Sequence, residues 1–296
     1  MTTHLCSAAR KALELSDDLR LTYLREESWI WYRRAEEILT SLEELFQRPP
    51  SHRMPNMLIV GRTNNGKTAI AQQFLSLHPP VYEPSAEADV VPILYLQAPP
   101  VPDERRLNAA MLDQLHIPHK TNERADRMMF QLLAVMPRLG VKMLVIDEIH
   151  HVLAGNRERQ RAFLNVLKYI GNELKLPIVA LGTSDALNAL QSDPQLANRF
   201  VPTVLPEWKF DRDYLSLLAS FEQLLPLRAP STLTEVKLAT RLLTMSEGTI
   251  GELSRLLERA AIQAIVERNE QITIPLLEKL SWIQPSERRN CAARHL

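Results

Sequence analysis

One stretch restricts the possible folds more than any other: MLIVGRTNNGKTAI, Met57 to Ile70. Met57–Val60 is a short apolar run of strand character, and KTAIAQQFLSL, beginning at Lys67, has the apolar spacing of a helix. Between them, Gly61 to Thr68 reads G-x-x-x-x-G-K-T. The chain has only 8 glycines among 296 residues, so a glycine-rich turn that merely joins strand to helix is a poor account of this spacing. Phosphate needs backbone N–H groups aimed inward, and glycine lets a loop curl tightly enough to aim them. The helix N-terminus adds further donors and a favourable dipole. Gly61, Arg62, Thr63, Asn64, Asn65, Gly66, Lys67 and Thr68 are therefore the expected cradle for a nucleotide's phosphates. Lys67 would reach the β- and γ-phosphates, and the Thr68 hydroxyl would ligate Mg²⁺.

The rest of the chain agrees with a strand–loop–helix unit. MLIV, VVPILYL, KMLVID, PIVALGT and FVPTVL are apolar runs of strand length, and helical patterns such as RERQRAFLNVLKYIGNEL lie between most of them. That alternation predicts an α/β fold with a parallel five-stranded sheet covered by helices on both faces. Residues 1–50 read as an N-terminal helical segment, with Trp29, Ala35, Ile38, Leu42, Leu45 and Phe46 near helical spacing before RPPSHRMP stops the helix. Residues 51–206 form the α/β domain. Residues 207–296 carry no strand pattern and read as a small helical bundle with a basic tail.

Two further strands end in polar residues, where an open α/β sheet places its ligands. KMLVIDEIHH ends in Asp147 and Glu148. Asp147 is placed to hold Mg²⁺, directly or through water, and Glu148 to orient and deprotonate an attacking water. PIVALGTSDA offers Thr183 or Ser184 to the γ-phosphate or that water, with Ser184 or Asp185 also suited to cap the following helix. Arg199, in QLANRF, stands before the last strand. It fits either a cation at a helix C-terminus or an arginine lent to a neighbouring subunit's phosphoryl group. His150 and His151 lack further ligands at metal spacing and read as part of the strand-to-helix turn.

Composition excludes several classes. Charge sums to zero, so DNA contact would need a local basic patch. The two cysteines, Cys6 and Cys291, are too far apart in sequence for a CxxC site and suit a reducing compartment. The N-terminus lacks the apolar core of a signal peptide, and no apolar run is long enough for a membrane, which leads to the expectation of a soluble cytoplasmic protein with no membrane partner.

Taken in order, RMPNMLIVGRTNNGKT, MLVIDEIHHVLAGNRERQRAFLNVLKYIGNEL, PIVALGTSDA and LANRF resemble an AAA+ ATPase, and more closely the TniB/TnsC-type ATPases of transposons. With the SWIWYRRAEEILTSLEEL lead-in, the resemblance spans most of the chain. It implies an ATP-dependent homo-oligomer, a ring or helical filament, on double-stranded target DNA, which recruits the transposase and works with a TniQ-like target-selection subunit. It implies slow, assembly-dependent hydrolysis of ATP with Mg²⁺, catalytic roles for Glu148, Thr183 and Arg199, and Mg²⁺ held by Thr68 and Asp147. It places the DNA-facing loops between the second and third strands, near Lys120, Thr121 and Arg124, although Glu123 and Asp126 make that stretch mixed in charge. One departure stands out: Gly251 occupies the lid-helix position near which many relatives carry an arginine, and Arg255 lies one turn further on. Two other readings remain at this level: a DNA-independent nucleotide switch that binds protein, and a replication initiator or loader, which the lack of a β-wing pattern disfavours.

Overall fold

The computed structural model describes residues 4–26, 28–82, 89–154, 156–191 and 198–288. The elements begin with α1 (Ser7–Ala12), α2 (Asp17–Arg25), α3 (Arg33–Phe46), β1 (Asn56–Gly61), α4 (Lys67–Leu77) and β2 (Ile93–Gln97). They continue with α5 (Glu104–Gln114), α6 (Ala125–Val135), β3 (Met143–Asp147), a 3-10 turn (Ile149–Ala154), α7 (Arg157–Glu173), β4 (Ile178–Gly182), α8 (Ser184–Gln191) and β5 (Phe200–Leu205). The last are α9 (Arg212–Leu224), α10 (Val236–Ser246), α11 (Ile250–Val266) and α12 (Ile274–Lys279). Contacts divide the chain into a sheet unit, residues 37–63 with 67–206, and a helical unit, residues 1–36 with 64–66 and 207–296.

The sheet unit is built on five parallel strands in the order β2-β3-β4-β1-β5. Every residue of β1, β3 and β4 is buried, which requires helices on both faces and explains why these strands read as unbroken apolar runs. β5 lies at the edge, where burial is interrupted and Pro202 is tolerated. Leu58, Leu94, Leu144, Ile146, Phe163 and Leu167 lie in one core cluster.

In the helical unit, Tyr214, Leu217, Leu242, Leu256 and Ala260 are fully buried. Arg20 is also fully buried, and its guanidinium donates to Glu270 at 2.9 and 2.6 Å and to the Pro226 carbonyl at 2.6 Å. Burial alone would raise the Glu270 carboxyl, but hydrogen bonds from Arg20 and the Arg228 backbone bring it below its ordinary range. Removing one partner of such a pair costs about 3–5 kcal/mol because the other charge stays buried.

The expected N-terminal helix is shorter than its pattern. α3 starts at Arg33, so Trp29 is not helical. Trp29 and Trp31 instead pack edge to face, with centroids 5.6 Å apart. Residues two apart face away from each other on a helix, so this pairing needs the non-helical backbone. The STLTE stretch before α10 is a turn. The Thr232 and Leu233 amides donate to the Glu222 carboxylate at 2.8 and 2.9 Å, and Thr232 has φ of 52°. Among the described residues no helix is long and apolar enough to cross a membrane.

Candidate nucleotide site

In the sheet unit the phosphate-loop lysine is already placed. Lys67 is 6% exposed, and its ammonium donates to the carbonyls of Gly61 at 2.9 Å and Arg62 at 2.8 Å. Burial pulls its pKa down, and the charges of Glu148 and Asp147 push it back up. Two of its three protons are spent on carbonyls that a phosphate oxygen would outcompete.

Asp147 closes β3 and is 3% exposed. Its Oδ2 accepts from the Thr68 hydroxyl at 2.6 Å and from the Tyr95 hydroxyl at 3.0 Å, and its Oδ1 accepts from the Glu148 amide at 2.7 Å. Thr68 and Asp147, the expected Mg²⁺ ligands, are thus in direct contact. Their oxygens are the hard donors that Mg²⁺ takes. Burial pushes the Tyr95 hydroxyl up to about 12, so it stays a donor at neutral pH.

Glu148 follows in the left-handed region, with φ of 54°. Strained backbone of this kind costs on the order of 1–3 kcal/mol and clusters at functional sites. The Glu148 carboxylate lies 2.9 Å from Nδ1 of His150, while His151 Nδ1 lies 3.2 Å from the Ala98 carbonyl oxygen. Glu148, His150 and His151 present donor atoms within 4.8 Å of one another. The expectation that no further ligand lies near the two histidines is corrected here: Glu148 supplies one, because the turn after β3 folds it back. Thr183 follows β4, and its hydroxyl is buried with no hydrogen-bond partner among the described residues. Ser184 opens α8. An orphaned buried hydroxyl, a lysine with a spare proton and a Thr–Asp oxygen pair together fit Mg²⁺ and a nucleoside triphosphate.

In the helical unit the loop tip meets α11. The left-handed positions fall at Asn64, φ 61°, and Gly66, φ 86°. The Gly251 amide donates to the Asn64 carbonyl at 3.0 Å, and Asn64 Nδ2 donates to Glu252 at 2.8 Å. A Cβ at Gly251 would lie 2.1 Å from Asn64 Oδ1 and 2.8 Å from its carbonyl oxygen, so only glycine fits. The residue after it is an acid whose charge is met by Arg288, which donates to Glu252 Oε1 at 2.9 Å and also pairs with Oε2. Arg255 is exposed.

Arg199 sits in the turn before β5, and its guanidinium donates to Asn172 at 2.8 Å. Its carbonyl accepts from the Asn56 amide at the start of β1, also at 2.8 Å. The expected helix before it falls on residues 192–197, outside the described residues. β1 and β5 are parallel and six residues long, so Gly61 lies at the far end, roughly 20 Å away at about 3.3 Å per residue. Arg199 therefore cannot reach the phosphate loop of its own chain.

The expected DNA-facing residues lie between α5 and α6. Lys120 and Thr121 are exposed. Arg124 caps α6 and pairs with Asp126 at 2.9 Å, and Arg127 pairs with Glu123 at 3.3 Å. Arg105 donates to the Thr121 carbonyl. Exposed pairs of this sort contribute about 0–1 kcal/mol, so these cations exchange partners at little cost.

Comparison with known families matches residues 20–210 to one described as Bacterial TniB protein. The chain belongs to the TniB family. A comparison with curated proteins finds no match. Among solved structures, the TniB chain is similar to the Aeropyrum pernix ORC2 protein in ADPNP-ADP complexes, with a TM-score of 0.61 and 19% identity over 87% of this chain and 70% of that one. It is similar to the Aeropyrum pernix ORC1 protein in complex with DNA, with a TM-score of 0.59 and 18% identity over 93% and 72%. Drosophila ORC bound to DNA follows, with a TM-score of 0.56 and 16% identity over 93% and 66%. At these identities the likeness is one of fold, the AAA+ P-loop fold with its parallel five-stranded sheet.

Sequence reasoning about this TniB chain missed Tyr95 and Glu252. The signal for Tyr95 was present: in ILYLQ, Leu94 and Leu96 are core residues, so Tyr95 and Gln97 share the other face. Glu252 had no signal beyond its place after Gly251.

Proposed function

We propose that this TniB-family chain is an ATP-dependent regulator of transposition. It assembles on double-stranded target DNA, engages the transposase and a TniQ-like target-selection subunit, and hydrolyses ATP to come apart. The observation that carries the reading is the separation of the catalytic groups: Lys67, Thr68, Asp147, Glu148 and Thr183 surround one end of the sheet, and Arg199 stands at the other.

ATP would supply the phosphoryl group, and Mg²⁺ would add positive charge beside its phosphates. Lys67 gives up its carbonyl contacts to hold the β- and γ-phosphates. Thr68 and Asp147 would hold the metal. Glu148 accepts the proton of the attacking water, and Thr183 orients that water or the γ-phosphate. Arg199 of a second copy leaves its asparagine and meets the charge that develops on the transferred group. The complete site then needs two copies, so ATP ties the assembly and its loss loosens it. Lys120, Thr121 and Arg124 contact phosphates without reading bases, which suits arbitrary target DNA. Membership in the TniB family supports the transposition role, and the ADPNP-ADP and DNA complexes of the structural neighbours accord with nucleotide and DNA as ligands.

The test is electron microscopy of the full chain with duplex DNA and a slowly hydrolysed ATP analogue, ADP or no nucleotide. Rings or filaments should form only with the analogue, thin out as salt rises, and be absent for Lys67→Ala. Protein that binds nucleotide yet stays single on DNA in every condition would instead favour a DNA-independent switch.

A further inference from the structure

Tyr95 and Thr68 converge on one carboxylate oxygen. The Tyr95 hydroxyl donates to Asp147 Oδ2 at 3.0 Å, and the Thr68 hydroxyl donates to the same oxygen at 2.6 Å. α4 thus holds the sheet through Thr68 on Asp147. On the sheet, Tyr95 pairs with Val145 and Gln97 with Asp147 in the β2–β3 register. Tyr95 therefore reaches Asp147 along the diagonal, a span that suits an aromatic side chain.

These contacts limit what Asp147 has left to offer. An ionised carboxylate has about four acceptor sites. Thr68 and Tyr95 occupy both on Oδ2, and the Glu148 amide occupies one on Oδ1. One site remains, on Oδ1. A carboxylate held by donors from α4, from β2 and from its own turn can neither rotate nor offer both oxygens to a cation.

We propose that Tyr95 is a positioning residue that fixes Asp147 in the one orientation suited to Mg²⁺ beside Thr68. This rests on the nucleotide reading of the site and extends it to a residue outside the phosphate loop and the strand-end acids. Mg²⁺ demands near-ideal octahedral geometry, so a carboxylate free to swing binds it worse. Hydroxyls that orient a metal's ligands typically govern about 10- to 100-fold in metal affinity.

The test uses the full chain and a fluorescent ATP analogue, titrated with Mg²⁺ and, separately, measured in EDTA. Tyr95→Phe removes one oxygen and keeps the ring. It should raise the Mg²⁺ needed for half-saturation about tenfold and leave affinity in EDTA unchanged. Tyr95→Phe with a wild-type Mg²⁺ curve would overturn the inference. So would an equal loss of affinity in EDTA, because Tyr95 would then be shaping the loop and not the metal ligand. Wild-type protein that binds the analogue in neither condition would overturn the nucleotide reading itself, whereas a wild type that responds to Mg²⁺ beside an unchanged Tyr95→Phe sinks this inference alone.

Discussion

The two ends of the sheet differ in how their polar groups are committed. At the end where β1 and β3 finish, Asp147 accepts three hydrogen bonds and Lys67 is folded onto two carbonyls, both side by side in a buried setting. At the end where β5 begins, Arg199 holds one asparagine at the half-exposed surface. The first end is organised within a single copy. On the reading proposed above, the second acts against another copy. A pre-set site costs little reorganisation when its ligand arrives, whereas an arginine with one exchangeable partner is free to be lent.

Two substitutions separate these ends, the larger effect first. Arg199→Ala should lower turnover of the assembled protein by about 10³-fold or more while nucleotide affinity of the single chain stays unchanged. Steady-state hydrolysis and equilibrium binding measure the two, and normal turnover would show that the two ends are not functionally joined. Glu148→Gln should lower turnover by about 10²- to 10⁴-fold and leave assemblies standing, because phosphate and metal contacts survive while the water is not activated. Hydrolysis at the wild-type rate would remove Glu148 as the base and leave the first end a binding site alone.

The smallest effect concerns the loop tip. Glu252 has its pKa lowered below 4.5, chiefly by the hydrogen bond from Arg288 against the penalty of burial. A depressed carboxyl stabilises the fold above its unfolded pKa and loses that contribution as pH falls through the folded value. Glu252→Gln should therefore cost about 1 kcal/mol at pH 7, since Arg288 is 41% exposed and screened by solvent. The gap in melting temperature between the two proteins should close below pH 4.5. A gap that persists into acid would mean that Glu252 orders Asn64 by shape and not by charge.

Legibility followed the range of the forces. Lys67, Thr68, Asp147 and Glu148 stand in short motifs whose chemistry depends on residues within a few positions, and the β1, β3 and β4 runs are apolar because both faces are covered. The helix expected from Ser28 instead began at Arg33, because the pairing of Trp29 with Trp31 takes a backbone that a spacing pattern does not register. The stretch around Lys120 was ambiguous by sequence and remains balanced in the structure, where Arg124 and Arg127 each meet an acid from their own segment.

The sequence by itself determined the α/β class, the phosphate loop and the acids at the strand end, since these rest on local backbone chemistry and on the period of apolar residues. Only the tertiary structure decided the rest. It set Tyr95 against an aspartate 52 residues away and Asn64 against a glutamate 188 residues away, and it put Arg199 at the opposite end of the sheet from its own phosphate loop. Those relations come from strand order and helix packing, which bring together groups whose separation along the chain carries no trace of their contact.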